Sequence, residues 1–143
     1  MLSQQRSEDL RQMAKVIVDK VPLTFPMADS AILVNATSTD GREHFLFDVN
    51  RKGKIKLSKC SYQNRHSIIE ILLRLDIDGP PHTNPDGEFM PCPHLHVYRE
   101  GFDDQWAIAL PAAFTDTTDL VQTFREFLKY CNVAPIPELQ RSI

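Results

Sequence analysis

The chain has 143 residues, 42% hydrophobic and 24% charged, with a formal net charge of −3, which suits one globular domain spanning 1–143 with a core large enough to fold alone. A pI near 5.9 excludes a global basic footprint, so attraction to nucleic acid has to come from a local patch. There is no stretch of roughly eighteen apolar residues and the opening Met1-Leu2-Ser3-Gln4-Gln5-Arg6 is polar, so the expectation is a cytoplasmic protein with no membrane partner.

From Ser7 onward, Leu10, Met13, Ala14, Ile17, Val18 and Val21 follow the i, i+3, i+4, i+7 rule. With Pro22 as a stop, the spacing predicts an amphipathic helix over 7–21. Pro22 to Ser30 reads as a connector. A strand over 31–36, a Thr39-Asp40-Gly41 turn and a return strand over 43–49 form a hairpin with Phe45, Phe47 and Val49 on one face. A turn at 50–53 leads to a third strand over 54–59, in which Ile55 and Leu57 alternate with lysines.

Residues 68–78 fit a buried helix through Ile68, Ile69, Leu72 and Leu73, and a strand through Ile69, Ile71, Leu73, Leu75 and Ile77. The β-branched isoleucines and the turn chemistry of Asp78-Gly79-Pro80-Pro81 favour a strand from Ile71 onward, with Arg74, Asp76 and Asp78 on its polar face. A strand over 94–100 and a last strand over 105–110 follow. Thr115 to Asp119 then cap a second helix whose stripe is Leu120, Val121, Phe124, Phe127, Leu128 and Cys131. Pro135 and Pro137 loosen the tail. The fold class expected is α+β, a mostly antiparallel, meander-like sheet of about six strands with an N-terminal and a C-terminal helix packed on one face. The other face is left for a ligand.

The densest chemistry lies between His82 and Glu100, which holds three of the five histidines. Alternation along the later strand projects His94, His96 and Tyr98 from one face while Leu95 and Val97 enter the core. One reading is acid–base catalysis without a cofactor. His82, His94 and His96 exchange protons, Arg65 or Arg74 holds a phosphate, and Tyr98 donates to an oxygen, an inventory that serves RNA cleavage through the substrate's own 2′-hydroxyl. A second reading is a divalent transition metal on the His94-x-His96 pair, completed by Asp76, Asp78, Asp86 or His82. A third is an ordinary solvated strand face.

Lys52, Lys54, Lys56, Lys59 and Arg65 form the one dense basic stretch. Lys54, Lys56 and Arg65 could track a phosphate backbone while Tyr62 stacks on a base, or the lysines could simply keep an exposed strand soluble. Asn84-Pro85-Asp86-Gly87 is first of all a turn. The odd number of cysteines, Cys60, Cys92 and Cys131, fits neither a disulfide framework nor a zinc knuckle, so all three read as reduced thiols.

The segments Leu73-Arg74-Leu75-Asp76, His82-Thr83-Asn84-Pro85-Asp86-Gly87, His94-Leu95-His96-Val97-Tyr98-Arg99-Glu100-Gly101 and Trp106-Ala107 resemble the pattern of a small bacterial protein family of unknown function. That resemblance implies no reaction and no site. The helix-sheet-helix outline is also similar to small endoribonuclease toxins of toxin–antitoxin pairs, an analogy of fold alone. The leading expectation is therefore a toxin-type endoribonuclease acting on RNA through His82, His94, His96, Tyr98 and Arg74. The alternatives are a non-catalytic interaction protein, such as an antitoxin or an inhibitor of a host or phage system, that binds a protein partner, and a metal-dependent hydrolase or oxygenase whose ligands are His94, His96 and Asp76.

Overall fold

The computed structural model describes residues 1–53 and 57–141. In chain order the elements are α1 (Gln4–Gln12), β1 (Lys15–Ile17), β2 (Leu23–Phe25), β3 (Ala31–Ser38), β4 (His44–Asn50), β5 (Cys60–His66), β6 (Glu70–Ile77), β7 (His82–Thr83), β8 (Phe89–Met90), β9 (His94–Val97), β10 (Ala107–Ala109), α2 (Leu120–Tyr130) and β11 (Leu139–Arg141). Among the described residues, the strands β1-β3-β4-β5-β6-β9-β10 form one antiparallel sheet in that order. The fold is α+β, with seven strands rather than six.

One face of this sheet is apolar because alternate residues of each strand point the same way. Val34, Phe47, Val49, Tyr62, Leu75 and Leu95 are buried on that side, and the aromatic rings of α2 close over them. Tyr62 stacks on Phe124 with centroids 5.9 Å apart, Phe47 meets the edge of Phe127 at 6.3 Å, and the Tyr62 hydroxyl donates to Leu120 O at 2.7 Å. Leu10 of α1 joins the same buried cluster. β6 carries one residue more than β5 can pair, since Asn64 faces Leu73 and Arg65 faces Ile71. Leu72 is therefore bulged, and both Leu72 and Leu73 are buried.

Three expectations need correction. The first helix runs over 4–12, not 7–21. Ser3 caps it by accepting from Arg6 N at 3.0 Å, and Ser7 is buried inside it. Helical spacing continues beyond Met13, but the β-branched run Val16-Ile17-Val18 pairs with β3 instead, Lys15 opposite Ser38 and Ile17 opposite Ala36. The third meander strand is β5, not 54–59. Lys54, Ile55 and Lys56 lie outside the described residues, and Leu57 and Ser58 form a turn. The connector and tail also find each other, β11 running parallel to β2 with Leu139 opposite Leu23.

Two polar side chains hold the layers in place. Lys15 is fully buried, and its ammonium spends its three donors on Arg11 O (3.0 Å), Met13 O (2.9 Å) and Cys131 O (2.8 Å). Burial pulls its pKa down to about 8, so it stays charged at neutral pH and ties the end of α1 to the end of α2. Asn84 is the second. In the β7-β8 hairpin its Nδ2 donates to Ala107 O at 2.9 Å and its Oδ1 accepts from Ala107 N at 2.8 Å, both buried. The side-chain amide thus satisfies the backbone of β10 and clamps the hairpin over the second, polar face of the sheet. Gly87 (φ 90°) closes the turn below it, its N–H donating to Asn84 O at 2.8 Å.

Replacing Lys15 with Met leaves three carbonyls without donors and is expected to cost roughly 2–4 kcal/mol, read as a lower urea midpoint. Asn84→Ala orphans both polar groups of Ala107, an expected loss of about 2–3 kcal/mol. Because the hairpin is then unclamped, diethyl pyrocarbonate should modify His94 and His96 faster in Asn84→Ala than in the wild type. Unchanged reactivity would show that Asn84 does not hold the hairpin down.

Candidate metal centre

The site is set by strand register. Arg74 lies opposite His96 and Asp76 opposite His94 across the β6–β9 ladder, and cross-strand partners share a face. This is the polar face, away from α2. Ser61 of β5 extends the row on one side, and its hydroxyl donates to Asp76 Oδ1 at 2.8 Å. On the other side β10 offers only Ala107 and Ala109 opposite the two histidines, leaving room for the hairpin. The His82 ring then sits 4.6 Å from that of His96 and 6.0 Å from that of His94. Under this roof His94 is 2% and His96 1% exposed.

Hydrogen bonds bear on which nitrogen of a ring carries its proton, because a carbonyl can only accept. His96 Nδ1 lies 2.8 Å from Asp104 O, His94 Nδ1 3.3 Å from Pro91 O, and His82 Nε2 2.7 Å from Gln105 O. At His96 Nδ1 is the donor, since Arg74 Nη2 donates to the ring's other nitrogen, whereas His94 has an acceptor oxygen 3.3 Å from each nitrogen, Pro91 O and Asp76 Oδ2. The lone pair of His96 therefore sits on Nε2, and the Nε2 atoms of both rings face one carboxylate oxygen, Asp76 Oδ2, at 3.3 and 3.2 Å. Two imidazole nitrogens and an anionic oxygen gathered in this way are an arrangement that a cation among them would suit.

Asp76, His94 and His96 form a possible ion-binding group among the described residues, with their ligand atoms all within 4.8 Å of one another. The carboxylate–imidazole spacings fit an ion, on which the two rings, in a group spread over as much as 4.8 Å, would have to draw closer together. Two donors each about 2.1 Å from a metal and 3.2–3.3 Å apart subtend about 100° at it, between the octahedral and tetrahedral angles. A carbonyl that accepts from the far nitrogen of each ring is the usual outer support of a metal-binding histidine. Two imidazoles and one carboxylate, with positions left open, are a donor set for zinc or a similar divalent transition ion.

Arg74 supplies positive charge to the same group. Its Nη2 lies 3.1 Å from His96 Nε2, its Nε 3.4 Å from Asp76 Oδ2, and its Nη1 2.5 Å from Asp104 Oδ2. Burial would raise the Asp76 pKa, but the adjoining His96 ring, the Arg74 charge and the Ser61 hydroxyl outweigh it and hold the carboxyl well below the usual range. Asp76 is therefore an anion at any physiological pH. Beside it opens a cleft of about 340 Å³, bounded by Lys59, Ser61, Arg74, Asp76, Gly79 and Cys92. The Cys92 thiol is pushed up by burial and by the nearby carboxylates of Asp76 and Asp78, so it stays protonated and is no nucleophile.

The structure thus gathers His82, His94, His96, Arg74 and Asp76, and leaves the other expected residues elsewhere. Tyr98 comes directly after β9, but it is buried at the N-terminal end, its hydroxyl donating to Leu2 O and accepting from Leu2 N, each at 2.9 Å. It cannot donate to a substrate at the centre. Tyr62 is in the core under α2 and offers no surface on which a base could stack. Arg65 is clasped by both oxygens of Asp48 at 2.8 and 2.9 Å and donates to Ile68 O at 2.7 Å. Lys54 and Lys56 lie outside the described residues. Asp78 is a turn residue with φ 48°, and Asp86 accepts from Glu88 N in the hairpin turn. Asp104, which orients both His96 and Arg74, was missed because Asp103-Asp104 reads only as turn chemistry. Asn84 was noticed only as a turn former.

Among the described residues no helix is long and apolar enough to cross a membrane. Neither a curated protein nor a solved structure matches the chain. Residues 2–133 match DUF6978, a family of unknown function, and the chain belongs to that family.

Proposed function

We propose that the chain is a hydrolase dependent on a divalent transition metal, with Asp76, His94 and His96 as the protein ligands. One observation carries this reading: the Nε2 atoms of both rings converge on Asp76 Oδ2 while each ring's other nitrogen faces a backbone carbonyl. An ion bound by such a set brings the pKa of a coordinated water toward neutrality and polarises an ester oxygen. The chain contributes the rest. Asp104 O and Pro91 O fix the ring orientations, the hairpin keeps bulk water from one side, and the cleft beside Asp76 admits the substrate from the other. The polar, cationic lining of that cleft, with Lys59, Ser61 and Arg74, favours hydrolytic over oxidative use.

Acid–base cleavage of RNA by the same histidines is less well supported. A general base must reach the proton it removes, and His94 and His96 are sealed by the hairpin with their free nitrogens turned to a carboxylate rather than outward.

The test starts from protein stripped with a chelator and titrated with Zn²⁺ against a chromogenic chelator. One equivalent is expected to bind to the wild type and to His44→Ala. In His94→Ala, His96→Ala and Asp76→Ala the affinity should fall on the order of 100-fold or more, at least what loss of an outer-sphere partner costs. Cleavage of bis(p-nitrophenyl) phosphate should appear with the metal and vanish with the chelator. Wild-type protein that binds no zinc, or ligand variants that bind it equally, would overturn the proposal. RNA cleavage indifferent to chelator would restore the imidazole reading.

A further inference from the structure

Resting on the metal centre just proposed, we infer that the adjoining cleft is a subsite for the phosphate group of a phosphate-ester substrate, held by Lys59 and by an Arg74 that metal binding sets free.

The argument begins with a lone pair. Nδ1 of His96 donates to Asp104 O, so the ring has a single acceptor left, Nε2, and Arg74 Nη2 takes it at 3.1 Å. A ring nitrogen has one such lone pair. It can accept from the guanidinium or coordinate an ion, not both. A metal at the centre therefore evicts Arg74 Nη2 from His96 and, by taking Asp76 Oδ2, also weakens the 3.4 Å contact from Arg74 Nε. Arg74 remains moored by Nη1 on Asp104 Oδ2, leaving an edge of the guanidinium to face the cleft whose wall it forms.

Lys59 lines the same cleft and makes no hydrogen bond or ion pair with any described residue. The charge balance then shifts toward positive with loading. Lys59 and Arg74 are matched by Asp76 and Asp104 when no metal is bound, and a divalent ion adds two positive charges. Asp78, beside Cys92, is one further carboxylate near this wall and leaves the loaded cleft net positive. Arginine, lysine and a metal around a space of about 340 Å³ approach a guest from three directions. A tetrahedral oxyanion presents oxygens to all three, whereas a carboxylate has only two oxygens in one plane. The guest that fits is a phosphate ester.

The probe is inorganic phosphate, titrated calorimetrically into protein carrying one equivalent of zinc, with acetate and metal-free protein as parallel arms. Phosphate is expected to bind the zinc form and to bind it better than acetate. Lys59→Met should weaken phosphate roughly tenfold with zinc affinity unchanged, the scale of one charge-assisted hydrogen bond. Arg74→Met should weaken phosphate to a similar degree and, by removing the competitor for His96, tighten zinc roughly tenfold. If zinc binds but phosphate does not, or acetate binds equally, or the metal-free form binds phosphate as tightly, the subsite is refuted and the metal centre stands. If both variants match the wild type, the residue assignment is refuted. Zinc failing to bind the wild type removes the centre itself, a result read before any phosphate is added.

Discussion

The register of β6 against β9 is the constraint on which the rest of the molecule turns. Pairing Arg74 with His96 and Asp76 with His94 puts every polar group of the centre on one face and Leu75 and Leu95 in the core. A slip of one residue would reverse both assignments, because side chains alternate strictly along a strand. The energetics of burying Tyr62, Leu75 and Phe47 against α2 therefore also fix the chemistry on the opposite side. Fold stability and site geometry are one property here.

The second constraint is the hairpin roof. His94 and His96 would be ordinary exposed imidazoles on an antiparallel sheet if β7 and β8 did not fold across them. Asn84 makes this possible at β10, where Ala107 has no side chain large enough to keep the amide from its backbone. Withdrawing the rings from water strengthens every interaction of Asp76 and Arg74. It also makes an unpaired charge costly, and Asp76 and Arg74 are each met by several partners. The opposite end of the sheet is treated differently: there Lys15 lies buried, and its charge is met by three carbonyls and the face of Phe45.

Much of this was legible where pattern was local and strong. The alternation of Ile71 to Ile77 and of His94 to Val97 placed both site strands, and the Asp119-capped stripe of Leu120, Phe124 and Phe127 placed α2. What escaped was decided at long range. Val16 and Ile17 fit a helix until β3 claims them. Tyr62 and Arg65 read as part of a basic, nucleic-acid-binding stretch because strand pairing partners are not visible locally, yet Tyr62 and Asn64 are buried in β5. β2 and β11 pair across more than a hundred residues, and no local signal announces it. At the site, strand parity assigned Tyr98 to the histidine face but could not show that Leu2 would occupy its hydroxyl. The turn at Asn84 was plain from its residues; the strand it would clamp was not.

The central claim is that His94, His96 and Asp76 surround one metal ion, and X-ray absorption at the zinc edge of protein loaded with one equivalent examines it directly. The account predicts nitrogen and oxygen ligands at about 2.0–2.1 Å with outer-shell scattering from two imidazoles, reduced to one in His94→Ala. An oxygen-only shell, or a sulfur ligand from Cys92, would contradict it.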